Sequence, residues 1–308
     1  MIDLPTAADE YLRTRRALGY KLAQQGQLLV DFVAYLQALG ANRIMLEHAL
    51  AWAQRPTGAD PVWWNARLGV VRGFARYLQA LDPDTEVPPA GLLPERNHRA
   101  TPYIYSESEI VRLVEAAGRL RSPLRAATYP TLIGLLAVTG MRVGEAIGLD
   151  RGDLDWEQGL LTIRHGKFDK ARQLPLHPTT IRSLLRYARR RDENSVTTNA
   201  SSFFVSSAGT RLILDNASAV FARLVRDAGL DWSGRRRPPR LHDLRHTFAV
   251  RTLVGWYRAG VDVEPRLPLL STYLGHTGPG STYWYLSAAP ELLAVAAERL
   301  EHAWEARP

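Results

Sequence analysis

Cysteine is absent from the 308 residues, which excludes both a disulfide-stapled secreted scaffold and a thiolate metal site. Long apolar runs are absent as well. No stretch approaches the ~20 consecutive apolar residues that a membrane span requires, and the opening MIDLPTAADEYLRTRR lacks the apolar core of a signal peptide. The expectation is a cytoplasmic protein with no membrane partner. No internal repeat or low-complexity tract is present. What remains is a chain with 46% hydrophobic and 23% charged residues, able to bury a sizeable core and long enough for two domains.

Charge is present in excess and unevenly placed. There are 39 Lys+Arg against 31 Asp+Glu, a net charge of +8, yet the first 100 residues hold 11 basic against 10 acidic residues. The surplus therefore belongs to the second part of the chain. Two clusters stand out there: Arg186 with Arg189, Arg190 and Arg191, and Arg235, Arg236 and Arg237 with Arg240. Guanidinium groups grip phosphate oxygens in pairs, so a polyanion, nucleic acid first, is the expected partner. A solvated helix face and a basic loop would explain the same composition.

The periodicity predicts a mainly α protein with a small β-sheet or hairpin. Leu29, Phe32, Val33 and Leu36 recur at helical spacing, and a second helix opens at Asp60-Pro61 and carries Trp64, Leu68, Val71, Phe74 and Leu78 on one face. These define a helical domain over residues 1–82. The proline-rich stretch that follows, residues 83–102, has no apolar period and reads as a linker. The second domain, 103–308, starts at the capping box Ser106-Glu-Ser-Glu109. Pro130 is expected to interrupt its next apolar stretch, with a new short helix from Arg142 to Leu149. Residues 160–164 and 172–176 flank a turn holding Gly166 and Asp169, as in a hairpin, and a short strand is expected at 203–206. An amphipathic helix is expected at 290–305, where Leu293, Ala297, Leu300 and Trp304 form a stripe.

Four features of the second domain carry reactive side chains: Thr139-Gly-Met-Arg142-Val-Gly-Glu145, Gly166-Lys167, His242-Asp-Leu-Arg245-His246, and Leu274-Gly-His276 followed by Tyr285. Arginines, imidazoles, a lysine and a tyrosine on a basic surface suit attack on a phosphodiester. Negative charge grows on the nonbridging oxygens in the transition state, where fixed guanidinium and imidazole donors bind it best. A tyrosine hydroxyl can form a covalent ester that stores the bond energy, and a lysine can protonate the leaving alkoxide. No metal and no cofactor is required by this chemistry.

Through these motifs and their order the sequence resembles the tyrosine recombinases, or phage integrase family. The resemblance implies a helical N-terminal core-binding domain ahead of an α+β catalytic domain. It implies that Arg142 is the first catalytic arginine, His242 and Arg245 the histidine and second arginine, His276 a further phosphate-binding imidazole, Lys167 the general acid and Tyr285 the nucleophile. It also implies a site-specific DNA recombinase or integrase that clamps double-stranded DNA, works as a homotetramer on two paired sites through 3′-phosphotyrosyl intermediates, and associates with the nucleoid, with accessory proteins as further partners. Lys170 stands as an alternative to Lys167, and Tyr283 and Tyr273 as alternatives to Tyr285. The 31-residue step from Arg245 to His276 is long and reads as an insertion beside the site. Glu145 is expected to partner an arginine, and Asp243 to accept a hydrogen bond at a helix start.

Three other readings use the same residues. The first is a type IB topoisomerase-like strand transferase. The second is a metal-dependent phosphohydrolase with His242, Asp243, His246 and His276 as ligands. The third is a DNA-binding regulator without catalysis.

Overall fold

The computed structural model describes residues 2–95, 101–164, 171–194, 201–235, 237–276, 278, 280–288 and 292. The chain divides into two compact units, 1–100 and 101–308.

Among the described residues the first unit holds four helices: α1 (Leu4–Ala17), α2 (Ala23–Ala38), α3 (Leu46–Gln54) and α4 (Pro61–Gln79). Asp60 caps α4 through the backbone N–H of Val62, and Pro61 occupies a first-turn position where no N–H is needed. The predicted apolar faces meet in one core of Leu29, Phe32, Trp52, Leu68, Val71 and Phe74. Buried Arg67 is accommodated there because its guanidinium lies 3.7 Å over the Trp52 ring and donates to the Trp52 carbonyl.

The proline-rich stretch does not behave as a free linker along its whole length. Arg72 on α4 donates to the carbonyls of Pro88 and Pro89, at 2.7 and 2.8 Å, and Leu93 is buried in the same core. Prolines lack an N–H but keep an acceptor, and here an arginine uses it.

The second unit begins with α5 (Glu107–Gly118), whose Ser106–Glu109 capping box forms as the sequence predicts. Next comes α6 (Pro123–Thr139), in which Pro130 sits inside one continuous helix instead of breaking it. The proline forfeits one helical hydrogen bond, and the packing of Leu132, Ile133, Leu135 and Leu136 in the core outweighs that loss. A short α7 (Val143–Gly148) follows.

The sheet has three antiparallel strands, β1 (Leu154–Asp155), β2 (Leu160–Ile163) and β3 (Arg172–Pro175), in the order β1-β2-β3. Strands β2 and β3 are the two arms of the predicted hairpin, with Leu161 opposite Leu174 and Ile163 opposite Arg172. The short β1 was not foreseen. Around 203–206 the chain makes only isolated bridges, such as Val205 with Arg211.

The remaining helices are α8 (Pro178–Asn194), α9 (Leu214–Asp227), α10 (Asp243–Arg258), α11 (Leu267–Leu274) and α12 (Gly280–Ala288). The long step between Arg245 and His276 is an extended α10, a turn and α11. Val263 of that turn is buried with Leu253, Leu267 and Leu270, so this stretch contributes to the core.

One arginine cluster is less available than its composition implies. Arg191 is only 3% exposed, donates to the Phe203 carbonyl and pairs with Asp192, whereas Arg186, Arg189 and Arg190 face solvent. The expected helix at 290–305 lies outside the described residues apart from Leu292. Among the described residues, no helix is long and apolar enough to cross a membrane.

Candidate active site

The site is organised around the C-terminal end of α11. The last carbonyls of an α-helix have no partner within it and carry a partial negative charge, so they attract cations. Three guanidinium groups use them here. Arg172 donates to the Tyr273 carbonyl at 2.9 Å, Arg245 to that of Leu274 at 2.8 Å, and Arg142 to that of Gly275 at 2.7 Å.

Glycine is required at this junction. Gly275 closes α11 in the left-handed region at φ +68°, and a Cβ on it would lie 2.7 Å from Arg172 Nη1 and 3.3 Å from Arg142 Nη1. The Leu-Gly-His motif is thus a helix stop around which arginines pack.

Gly140 plays a similar part in the first motif. It ends α6 at φ +60°, and a Cβ there would come within 2.4 Å of the Phe248 ring. Its carbonyl accepts from Arg245 Nη1 at 2.9 Å. The chain then turns so that Arg142 becomes the N-cap residue of α7, with Glu145 at the third helical position accepting from the Arg142 backbone N–H at 2.8 Å.

Glu145 is buried and ties two arginines together. Its Oε1 accepts from Arg142 at 2.8 Å and from Arg172 at 3.0 Å, while Oε2 accepts from Arg172 at 2.8 Å. Burial alone would raise this carboxyl, but the hydrogen bonds from Arg172 and Arg142 outweigh it and hold the group below its ordinary value.

Glu145→Gln is expected to cost about 3–5 kcal/mol of stability at neutral pH, because it leaves two partly buried guanidiniums without their counter-charge. A carboxyl whose pKa is depressed by folding stabilises above its unfolded pKa and loses that contribution as pH falls through the folded value. Denaturation curves of the two proteins should therefore converge as pH drops below the ordinary 4.5.

Arg245 is 3% exposed, and among the described residues its hydrogen-bond partners are carbonyls, not carboxylates. Burial, and then the nearby Arg142 charge, lower its pKa to about 10, so it stays cationic at neutral pH. A buried cation whose hydrogen bonds go to carbonyl dipoles is a preformed receptor for an anion.

His242 precedes α10, where Asp243 fixes the turn by accepting from the Arg240 backbone N–H at 2.8 Å and from its guanidinium at 3.2 Å. Burial, and then the Arg245 charge, push the His242 imidazole below its ordinary value, which keeps it neutral at pH 7.

The His276 ring is oriented by a 2.8 Å hydrogen bond between its Nδ1 and Thr282 Oγ1. Tyr285, on α12, is 2% exposed. Its ring stacks 6.3 Å from that of His276, and its Oη lies 3.0 Å from His246 Nδ1. The alternative tyrosines are placed differently. Tyr283 is 45% exposed, and Tyr273 stacks on Phe248 at 5.6 Å.

The structure thus brings Arg142, His242, Arg245, His276 and Tyr285 into one cluster. Lys167 and Lys170, which fall between β2 and β3 in the sequence, lie outside the described residues. Among the described residues, no group of three or more His, Asp or Glu side chains is placed to hold a metal ion. Asp243, one of the ligands the metal reading required, is instead taken by Arg240.

Two members of the cluster escaped sequence reasoning as site residues. Arg172 belongs to no motif, but it stands two residues before buried Leu174 on β3, and that period of two marks it as inward-facing. His246 was legible only as a metal ligand, since its contact with Tyr285 spans 39 residues.

Comparison with known proteins shows the family and the fold. The model of the phage integrase family matches residues 104–291. The "Putative integrase/recombinase y4rB" of Sinorhizobium fredii (strain NBRC 101917 / NGR234) is 47% identical over 307 residues, covering 98% of each chain. Among solved structures, the Tn1549 transposon integrase in complex with transposon right end DNA superposes with a TM-score of 0.66 at 17% identity, covering 96% of this chain and 99% of that one. A lambda integrase tetramer bound to a Holliday junction gives 0.61 at 18% identity, covering 92% and 77%. The fold is that of these DNA-bound integrase structures. The chain belongs to the phage integrase family.

Proposed function

We propose that this protein is a site-specific DNA recombinase that cleaves and rejoins strands through a 3′-phosphotyrosyl intermediate. The observation that carries the reading is the buried, carbonyl-held Arg245 beside Arg142, with the Tyr285 phenol in the same cluster. Arg142 and Arg245 bind the nonbridging oxygens of the scissile phosphate, and His242 and His276 add hydrogen bonds to them. Tyr285 Oη attacks phosphorus, the bond to the 5′ oxygen breaks, and Lys167 protonates that oxygen. The ester keeps the bond energy, so rejoining needs no nucleotide cofactor.

The remaining assignments draw on the family relationship. The 1–82 helical domain grips the core site while the 103–308 domain carries the chemistry, both reaching the DNA backbone through basic residues. Four protomers on two paired sites exchange strands, and the protein works at the nucleoid. The integrase/recombinase relative and the lambda integrase tetramer on a Holliday junction support this reading over a topoisomerase.

The test is covalent trapping on a nicked suicide duplex built from inverted repeats that flank the gene. An SDS-resistant protein–DNA adduct that forms in excess chelator is the expected result. Adduct formation abolished by chelator would return the site to metal chemistry, and DNA binding without any adduct would leave a regulator.

The general acid has its own signature. A substrate whose 5′ bridging oxygen is replaced by sulfur leaves with little need of a proton. Lys167→Ala should be slow on the natural substrate and close to wild type on the sulfur one. If Lys170→Ala shows that relief instead, the acid is Lys170.

A further inference from the structure

His246 has no part in the proposed phosphate clamp, yet its Nδ1 lies within hydrogen-bond distance of the hydroxyl of the proposed nucleophile, Tyr285. It lies one helical turn beyond His242 on α10, with the two rings edge to face at 4.9 Å. Trp284 packs against its other side at 5.6 Å, and the Tyr285 ring lies 5.5 Å away. Within that packing its Nδ1 stands 3.0 Å from Tyr285 Oη.

A tyrosine phenol ordinarily titrates near 10 and is a weak nucleophile until its proton departs. The acceptor must stand within about 2.6–3.2 Å of the hydroxyl, and His246 does. The other two imidazoles are otherwise engaged. His276 presents its Nδ1 to Thr282, and for His242 burial and then the Arg245 charge, against the opposing pull of Asp243, disfavour the imidazolium.

We propose that His246 accepts the proton of the Tyr285 nucleophile during cleavage and returns it during rejoining. The inference rests on Tyr285 being the nucleophile, as argued above. In cleavage the Oη–P bond forms while the P–O5′ bond breaks. The phenolic proton passes to His246 Nδ1, giving an imidazolium, and the 5′ oxygen takes a separate proton from Lys167. Rejoining reverses each transfer: the 5′ hydroxyl attacks, its proton returns to the lysine, and the departing phenolate recovers its proton from His246. The role requires the neutral tautomer with its proton on Nε2.

Single-turnover cleavage of the suicide duplex tests this, with natural and 5′-sulfur substrates compared. His246→Asn keeps a polar group near Nδ1 but cannot carry a proton, and His246→Ala removes the contact. Both should bind DNA as wild type does and cleave about 10²–10⁴-fold more slowly. The sulfur leaving group should not relieve the deficit, because the defect lies at the attacking oxygen. Replacing Tyr285 by a more acidic difluorotyrosine should shrink it, which a purely structural defect would not allow.

Wild-type cleavage by His246→Asn would overturn the proposal, as would a deficit that vanishes on the sulfur substrate or persists unchanged with difluorotyrosine. Should the alanine protein fail to fold, the asparagine protein decides. Absence of any adduct with the unmodified protein would count against the recombinase reading itself, a separate outcome.

Discussion

Tyr285→Phe is expected to bind a recombination site with wild-type affinity and to form no covalent product on a suicide duplex. The substitution keeps the ring that fills the space between His246, Trp284 and His276, and removes only the oxygen that becomes the ester. The hydrogen bond to His246 that it gives up is worth about 1 kcal/mol, too little to unfold a domain with this core. Tyr283→Phe should cleave normally, because Tyr283 is 45% exposed while Tyr285 is 2% exposed. Electrophoresis of the adduct under denaturing conditions reads both results. An adduct with Tyr285→Phe and none with Tyr283→Phe would transfer the role to Tyr283.

Arg245→Ala should reduce cleavage by on the order of 10²–10³-fold or more at saturating DNA, since a single preorganised donor is worth about 3–4 kcal/mol in the transition state. Arg245→Lys should recover little. A lysine is a point charge, whereas Arg245 spans the carbonyls of Gly140 and Leu274 with two separate nitrogens while facing the phosphate site. Single-turnover rates on the suicide duplex, with binding measured in parallel, separate loss of chemistry from loss of affinity. Unchanged rates in the alanine protein would remove the phosphate clamp from the account.

Much of the site was legible because local backbone rules and chemistry coincide. Gly140 and Gly275 mark helix ends that need left-handed backbone, and just beyond them stand Arg142 and His276, two of the residues proposed to bind the phosphate. Glu145 is three residues from Arg142, within reach of a capping box, so its role as an arginine partner could be read along the chain. The hairpin strands were visible from their apolar alternation.

What escaped the sequence was set by distant partners. Arg172 gains its place from Glu145 and the end of α11, neither of which is near it in sequence. Arg191 reads as one more surface charge until Phe203 is seen to offer its carbonyl. Pro130 reads as a break because the local cost of a proline is visible and the tertiary packing that offsets it is not. The link between His246 and Tyr285 joins α10 to α12 across 39 residues that include α11, which no spacing rule anticipates.

The most direct test of the central claim is the chemical location of the DNA ester. The wild-type adduct, digested with protease and nuclease and sequenced by mass spectrometry, should yield one peptide that carries the nucleotide remnant on Tyr285 through a 3′ phosphate. A remnant on Tyr283, on Tyr273 or on a side chain outside the cluster, or a linkage to a 5′ phosphate, would contradict the account.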